Sequence, residues 1–245
     1  MNALCGRAHY GTVSGNIKIN GQDENIEDQL DVIGFVPQDD IVYAELTVLE
    51  NLMFAGKFKL PRGTSSTTIK RLAEDVIADL GLTRVTNSIV GDVNRRGVSG
   101  GEKKRVNIGL ELMAKPSILF LDEPTSGLDA SSAVVVMTSL HRLVKNQGMT
   151  VCSVIHQPRK QIFEMFDSLV LLGVGGRMVY HGAVSEVQDY FKTRGFDLPA
   201  GESLADWLLD ISAGRVSPES LQVQPMASMA SLSEEDNFEA ANRSR

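Results

Sequence analysis

Two neighbouring carboxylates, Asp122 and Glu123, follow directly on an apolar run at residues 118–121. Such a run predicts a strand buried on both faces, and parallel α/β sheets bind ligands where these strands end. There Asp122 could serve a hydrated Mg²⁺, and Glu123 could orient or deprotonate a water for attack on a phosphoryl group. In isolation, however, the two acids before Pro124 are more typical of an ordinary turn after a strand.

A second candidate site lies at residues 98–105, which read VSGGEKKR. Gly100 and Gly101 at a helix start would let a phosphate approach free backbone N–H groups, and the helix dipole favours its negative charge. Ser99 adds a hydroxyl donor. An ordinary capping box of Ser99 with Glu102 explains those two residues, but it does not explain the glycine pair, because glycine disfavours a helix.

His156 and Gln38 are weaker candidates, and each follows an apolar run that predicts a strand. An imidazole at a strand end could contact a terminal phosphate, although a lone histidine is more often an ordinary loop residue. Gln38 lies between Pro37 and two aspartates, and taken alone it indicates nothing.

The spacing of apolar residues predicts the elements that would hold these groups. Strand, helix, strand order in the second half favours right-handed crossovers and a parallel sheet. Residues 39–115 are predicted to be a mainly helical insert. Strands are predicted at 12–20, 32–36, 118–121, 150–155, 168–172 and 178–180, with 150–155 and 168–172 buried on both faces. Helices are predicted to end at Gly6, to begin at Thr47 and Ser99, and to span 67–80, 130–147 and 204–211.

Composition narrows the class of protein. Hydrophobic residues make up 42% of the 245 and charged residues 22%, which is ordinary for a globular domain. The net charge of −7 argues against a nucleic-acid partner. The two cysteines lie far apart in sequence and favour a reducing compartment. No apolar run approaches the ~18 residues of a membrane span, so a membrane-embedded part is expected elsewhere.

Together and in this order, these groups resemble the nucleotide-binding domain of ABC transporters. Residues 98–105 resemble the signature motif, 118–123 Walker B, and 126–129 the D-loop. His156 resembles the switch histidine, and Gln38 in GFVPQDD the Q-loop. The strings RRGVSGGEKKRVNIGLEL, VIHQPRKQIFEMFDSLVLL and VYHG are similar to the G (white-brown) subfamily, and the resemblance covers roughly residues 1–212.

The resemblance implies a P-loop NTPase-like α/β fold, with a parallel sheet core and a helical subdomain at about 39–115. It predicts a nucleotide-binding domain at 1–200, a short helix or linker at 201–216, and a disordered tail at 217–245. In the family two such domains meet head to tail around two ATP molecules. A transmembrane domain, expected to follow in the same polypeptide, would be driven from the cytoplasmic face of the membrane.

Site roles follow from the resemblance, residue by residue. Ser99, Gly100, Gly101 and Glu102 would contact the γ-phosphate of ATP bound to the partner domain. Asp122 would serve Mg²⁺, Gln38 would sense metal and water, Glu123 would be the general base, His156 would stabilise the γ-phosphate, and Asp129 would connect the two sites.

The family's phosphate loop, GxxxxGK[ST], does not occur in these 245 residues. MNALCG resembles the rest of the helix that this loop opens, so the loop and the strands before it are expected to be missing. Three readings remain open. The chain is an incomplete segment of an active transporter ATPase, which we favour, or a truncated binding module without activity, or a soluble ABC ATPase. The acidic charge and the lack of a paired cassette speak against the third.

We predict that the 245-residue polypeptide binds ATP weakly, because it has no loop to cradle the β- and γ-phosphates. Isothermal titration calorimetry with Mg²⁺ and ATP measures the affinity, and an intact ABC nucleotide-binding domain is the positive control. Affinity in the micromolar range would show that another segment binds these phosphates.

Overall fold

The computed structural model describes residues 1–8, 12–23 and 25–218. The chain forms two compact units, Met1–Met165 and Phe166–Arg245. The disordered tail predicted for residues 217–245 lies outside the described residues from position 219 onward. The domain boundaries predicted at residues 200 and 216 stay predictions.

A single helical turn begins the first unit, and Gly6 closes it at φ +69°, where the end of a helix was predicted. A hairpin follows, in which β1 (Lys18–Ile19) pairs antiparallel with β2 (Gln22–Asp23). Asn20-Gly21 forms the turn, with positive φ at both residues. The strand predicted at 12–20 is therefore correct at its turn but only two residues long.

Three strands form the sheet of the first unit: β3 (Ile33–Val36), β4 (Ile118–Asp122) and β5 (Thr150–Val154). They are parallel and lie in the spatial order β3-β4-β5, which confirms the predicted parallel sheet. β4 is the central strand, and its residues 119–121 are buried, as expected for an uninterrupted apolar strand whose two faces are both covered.

Two predicted strands are less buried than their sequences suggested. β5 pairs with β4 along one edge only among the described residues, and Thr150, Cys152 and Val154 are exposed. β6 (Ser168–Leu172) belongs to the second unit and pairs antiparallel with its hairpin neighbour instead of joining a parallel sheet. An apolar sequence predicts that a strand can be buried, but it does not say which neighbour covers it.

The predicted helix starts at Thr47 and Ser99 are confirmed, each by a complete capping box. Gly56 allows the helices of the first unit to approach closely, because a Cβ built there would lie 2.8 Å from the side chains of Ile69 and Met113. The helices are α1 (Val48–Lys59), α2 (Ser66–Asp79), α3 (Gly100–Leu112), α4 (Ala130–Gln147) and α5 (Lys160–Phe163). Short 3₁₀ helices span Ile26–Val32 and Thr83–Val85.

Asn51 is fully buried in α1 and fastens the loop that precedes this helix. Its side-chain oxygen accepts a hydrogen bond of 2.9 Å from the Tyr43 N–H. Its amide donates to the carbonyls of Tyr43 and Thr47, each at 3.0 Å. The sequence did not single out Asn51, because a polar residue in a helix usually faces solvent.

The second unit consists of the β6–β7 hairpin and two helices. β7 spans Met178–Ala183, α6 Val187–Lys192 and α7 Leu204–Ser212, which confirms the predicted hairpin and amphipathic helix. Trp207 of α7 packs edge-to-face on Phe191 of α6 at 5.9 Å between ring centroids. Short 3₁₀ helices span Val174–Gly176 and Val184–Glu186.

We predict that Asn51→Ala lowers the free energy of unfolding by about 1–3 kcal/mol, because it leaves buried backbone groups of the 43–47 loop without partners. Urea denaturation followed by circular dichroism measures the change. Asn146→Ala, at an exposed position of α4, is the matched control and should change stability by no more than about 0.5 kcal/mol. Equal effects of the two variants would contradict the role given to Asn51.

Candidate functional site

The parallel register brings the carboxyl ends of the three strands to one edge of the sheet. Asp122, the last residue of β4, pairs with Val154, the last residue of β5. Gln38, Glu123 and His156 follow within two residues of the three strand ends, and they therefore leave the sheet at the same edge.

Glu123 is the centre of this group. Its Oε2 accepts a hydrogen bond of 3.0 Å from Nε2 of Gln38, and its Oε1 lies 3.8 Å from Nε2 of His156. The second distance is too long for a hydrogen bond, so the imidazole faces the carboxylate without bonding to it. The His156 side chain is 80% exposed, which leaves the ring room to turn toward a ligand.

The backbone holds Glu123 in an unusual conformation. Glu123 has φ +46°, and Gln157, beyond the neighbouring strand, has φ +44°. The Glu123 N–H donates to the carbonyl of Val154 at 3.0 Å, which ties the turn after β4 to the end of β5. Left-handed backbone at residues other than glycine is costly and concentrates at functional sites, so this edge is the strained part of the sheet.

The donor set at this edge fits a magnesium ion that is bound together with a phosphate. Mg²⁺ usually takes one or two carboxylates from the protein and its remaining ligands from phosphate and water. Asp122 is half-buried, and within the described ranges its carboxylate makes no hydrogen bond or ion pair. Gln38 uses its nitrogen toward Glu123, so its side-chain oxygen is left for a cation. No cluster of three or more His, Cys, Asp or Glu suited to a metal cage occurs in the described part of the chain.

At the amino end of α3, Ser99 and Glu102 form the capping box that the sequence left open as an alternative. The Ser99 N–H and hydroxyl both donate to Oε2 of Glu102 at 2.8 Å. The N–H groups of Gly100 and Gly101 have no hydrogen-bond partner among the described residues, as expected in a first helical turn. Ser99 and Gly100 are exposed, whereas Gly101 is buried.

The two glycines differ in what surrounds them. A Cβ on Gly101 would lie 2.9 Å from Cβ of Ser132 in the first turn of α4, closer than side chains approach one another. A Cβ on Gly100 would meet only the side chain of Leu128, at 3.5 Å. Packing between α3 and α4 therefore explains Gly101 without any ligand, and it does not explain Gly100.

Asp129 begins α4 as its N-cap. Its carboxylate accepts hydrogen bonds from the hydroxyl and backbone N–H groups of Ser131 and Ser132. The side-chain hydrogen bonds from Ser131 and then Ser132 hold the pKa of Asp129 well below its ordinary value. Asp129 is thus a stably charged cap that leaves little capacity for a ligand, while its predicted role between two sites stays a prediction.

The structure brings the predicted site residues together in two groups within the first unit. Gln38, Asp122, Glu123 and His156 share the sheet edge, whereas residues 99–102 lie at the start of α3 beside the start of α4. Lys104 and Asn107 were missed, although both contact the loop that carries Gln38. Their position on the buried stripe of α3 with Ile108 is the signal that could have found them.

A cleft of about 480 Å³ near the amino end of the chain holds none of these residues. It is lined by residues of the first 27, among them Ala3, Val13 and Asn25. Gln38 and His156 are exposed and Asp122 and Glu123 are half-buried, so the group at the sheet edge lies apart from this cleft.

Comparison with known proteins identifies families and relatives to which this chain is similar. The model of the ABC transporter family matches residues 1–126, and that of an ABC-2 type transporter family matches 156–231. ABC transporter G family member 28 of Arabidopsis thaliana is 44% identical over 89% of this chain. ABC transporter G family member 25 of rice is 44% identical over 87%, and the broad substrate specificity ATP-binding cassette transporter ABCG2 of Mus musculus is 40% identical over 96%. The chain spans 20%, 21% and 35% of these relatives' lengths.

The parallel sheet and its helices form an α/β fold, and the match to the ABC transporter model implies a nucleotide-binding domain. The chain belongs to the ABC transporter family, in its G or white-brown subfamily. The predicted fold class and the predicted family are thereby confirmed. Across the described ranges, no helix has both the length and the apolar character to cross a membrane, although the ABC-2 match begins at residue 156.

We predict opposite effects of alanine at the two glycines. Gly101→Ala lowers the free energy of unfolding by about 1–3 kcal/mol, because the new Cβ collides with Ser132. Gly100→Ala leaves stability unchanged or raises it by up to about 1 kcal/mol, because alanine favours a helix and meets ordinary contact distances there. Urea denaturation measures both, and equal losses at the two positions would contradict this account of the packing.

Proposed function

We propose that this chain forms one half of the ATP-hydrolysing motor of a G-subfamily transporter that exports lipids, sterols or other hydrophobic compounds. Two such domains meet head to tail around two ATP molecules at the cytoplasmic face of a membrane. They act on a transmembrane domain that follows in the same polypeptide. The observation that carries the proposal is the group of Gln38, Glu123 and His156 around one carboxylate at the sheet edge.

In this proposal Glu123 acts on the attacking water. Its carboxylate orients the water and accepts its proton as the water's oxygen attacks the γ-phosphorus of ATP. The bond between the γ-phosphorus and the bridging oxygen breaks, and ADP leaves with that oxygen. Gln38 holds the carboxylate in one orientation through its 3.0 Å hydrogen bond. His156 turns from its position 3.8 Å away and donates to the γ-phosphate. Bound Mg²⁺, served by Asp122, would neutralise charge on the β- and γ-phosphate oxygens.

The surroundings of the two acids support this division of roles. Glu123 already has a hydrogen-bond donor on one oxygen and an imidazole facing the other, as a positioned base requires. Asp122 lies half-buried without such partners among the described residues, and its carboxylate is open to a cation.

In this proposal, the start of α3 contacts the ATP bound to the second domain and not the ATP bound to its own domain. The exposed N–H of Gly100, together with the Ser99 hydroxyl, would bind the γ-phosphate of ATP held by the partner domain. The accessibility of Ser99 and Gly100 supports this, because a partner's nucleotide must approach them from outside. ATP bridges the two domains, and its hydrolysis removes the bridge, so that the pair opens.

An exposed apolar surface supports a membrane-domain partner. Ile41 and Tyr43 follow Gln38 and are 68% and 53% exposed, and Phe58 of α1 is 75% exposed. The Tyr43 ring packs edge-to-face on Phe54, and Phe54 packs on Phe58, so the aromatic side chains form one continuous surface. Surfaces of this kind mark protein contacts, and this one adjoins the loop that responds to the nucleotide.

One observation favours a second function, a binding module without activity. Ser99 and Gly100 are exposed at the start of α3, so they could bind a partner's ATP even in a chain that hydrolyses none. Such a module would accelerate or inhibit an intact partner domain, and it would not depend on Glu123.

We predict that Glu123→Gln lowers the rate of ATP hydrolysis by a factor on the order of 10²–10⁴, because the amide cannot accept a proton from the water. ATP affinity should be retained. The assay uses the chain extended at its amino end by a segment that contains the phosphate-loop sequence GxxxxGK[ST]. Phosphate release measures turnover, and calorimetry measures binding.

Glu74→Gln, at an exposed position of α2, is the matched control and should leave turnover unchanged. Wild-type turnover in the Glu123→Gln variant would show that Glu123 is not the base. Absence of turnover in the extended wild-type chain would reject the motor, and the binding module would then be tested by adding the chain to an intact nucleotide-binding domain.

A further inference from the structure

A buried lysine of α3 has no part in the chemistry described above. The Lys104 side chain is 4% exposed, and its Nζ lies 2.7 Å from Oδ1 of Asp40. The same Nζ donates to the backbone carbonyl of Gln38, also at 2.7 Å. Burying an ammonium group is costly unless it is paired and hydrogen-bonded, and here both partners come from the loop that carries the Glu123 contact.

Asn107, one turn further along α3, contacts the same loop. Its side-chain oxygen accepts a 3.2 Å hydrogen bond from the Ile41 N–H, and its amide donates to Oδ1 of Asp40 at 3.3 Å. Residues 38, 40 and 41 are therefore all tied to one face of α3. These contacts join segments 66 and 67 positions apart in the chain.

We propose that Lys104 is a positioning residue for Gln38 and, through it, for the carboxylate of Glu123. This inference rests on the proposed function for its consequence in ATP hydrolysis, but the positioning itself is a property of the chain. Lys104 touches neither the nucleotide nor the reacting atoms, and it acts through the main chain of Gln38.

The physical reason lies in the exposure of the Gln38 side chain. An exposed glutamine side chain loses conformational entropy when one hydrogen bond fixes its torsions. The 3.0 Å contact with Glu123 is therefore weak by itself. Fixing the Gln38 carbonyl from the buried side sets the direction in which the side chain leaves the backbone. The backbone part of the entropy cost is then met during folding, and only the side-chain torsions remain to be fixed by the hydrogen bond to Glu123.

Stability alone is a poor explanation of this buried pair. Well-packed apolar residues of similar size often stabilise a fold as much as a buried ion pair does. An apolar residue in place of Lys104 could fill the same space, but it could not hold the Gln38 carbonyl. Lys104 also lies one turn from Gly100 in α3. One helix therefore both holds Gln38 and, in the proposed function, contacts the partner's phosphate.

The first measurement uses the unaltered 245-residue chain. In ¹⁵N-labelled protein, a buried and hydrogen-bonded lysine ammonium exchanges its protons with water slowly enough to give a signal near neutral pH. We expect such a signal for Lys104, assigned through its side-chain carbons, and none for Lys145, which lies exposed near the end of α4. Exchange of Lys104 as fast as that of Lys145 would overturn the proposal without any variant.

The second measurement follows the side-chain amide signals of Gln38. Glu123→Ala removes the acceptor oxygen and gives the reference position of the signals when the contact is lost. We expect Lys104→Met to move the Gln38 signals toward that reference and the control Lys145→Met to leave them in place. Asp40→Asn should also leave them nearly in place, because it keeps the bond from Lys104 to the Gln38 carbonyl.

Circular dichroism and a thermal melt establish that each variant is folded. Unchanged Gln38 signals in folded Lys104→Met would overturn the proposal. Loss of the Gln38–Glu123 contact in both Asp40→Asn and Lys104→Met would also overturn the proposal. The position of Gln38 would then depend on the loop as a whole and not on the bond from Lys104. If Lys104→Met does not fold, the ammonium signal and the Asp40→Asn spectrum still decide.

The consequence for hydrolysis is tested in the amino-terminally extended chain. Lys104→Met should lower kcat on the order of tenfold to a hundredfold, while KM for ATP stays within about twofold, because a misplaced carboxylate impairs the chemical step and not binding. Equal kcat in the wild-type and Lys104→Met extended chains would show that Lys104 does not affect hydrolysis. Absence of turnover in the wild-type extended chain would reject the proposed function and leave the two spectroscopic tests intact.

Discussion

Backbone pairing between three parallel strands is the interaction on which the rest of the site depends. In a parallel sheet, the carboxyl ends of all strands lie at the same edge of the sheet. The pairing of β3 with β4 and of β4 with β5 therefore gathers side chains from positions 38, 123 and 156 without any contact between them being required first. A slip of one residue along β4 would turn the side chains of the two acids to the opposite faces of the sheet.

At the start of α3, one glycine allows close packing against α4 and its neighbour remains exposed to solvent. Gly101 is needed because α4 approaches α3 so closely that a Cβ would collide with Ser132. Gly100, its neighbour, faces solvent and has no such packing reason. The glycine pair thus consists of one residue that the packing requires and one that it does not. The spacing of α3 against α4 also keeps Ser99 and Gly100 at the surface, where a second domain can reach them.

Much of the fold could be predicted because it rests on local signals. Capping boxes at Thr47 and Ser99, the glycine after α4 and the apolar run of β4 each act within a few residues. The polar contacts that fasten loops could not be predicted, because Lys104 and Asn107 meet partners more than 60 residues away. The exposed faces of β5 and β6 were also missed, since burial depends on the neighbouring strand and not on the strand's own sequence.

The capping box at Ser99 determines which donors at the start of α3 are free for a phosphate. The Ser99 hydroxyl donates to Oε2 of Glu102 and so is already satisfied. A hydroxyl has a single proton to donate, so Ser99 can donate to a phosphate only by giving up this bond. Its backbone N–H also bonds to Glu102 and keeps the helix start intact during that exchange. The N–H of the exposed Gly100 need give up no such bond, so in the proposed function this group, rather than the serine hydroxyl, would be ready for an anion before one arrives.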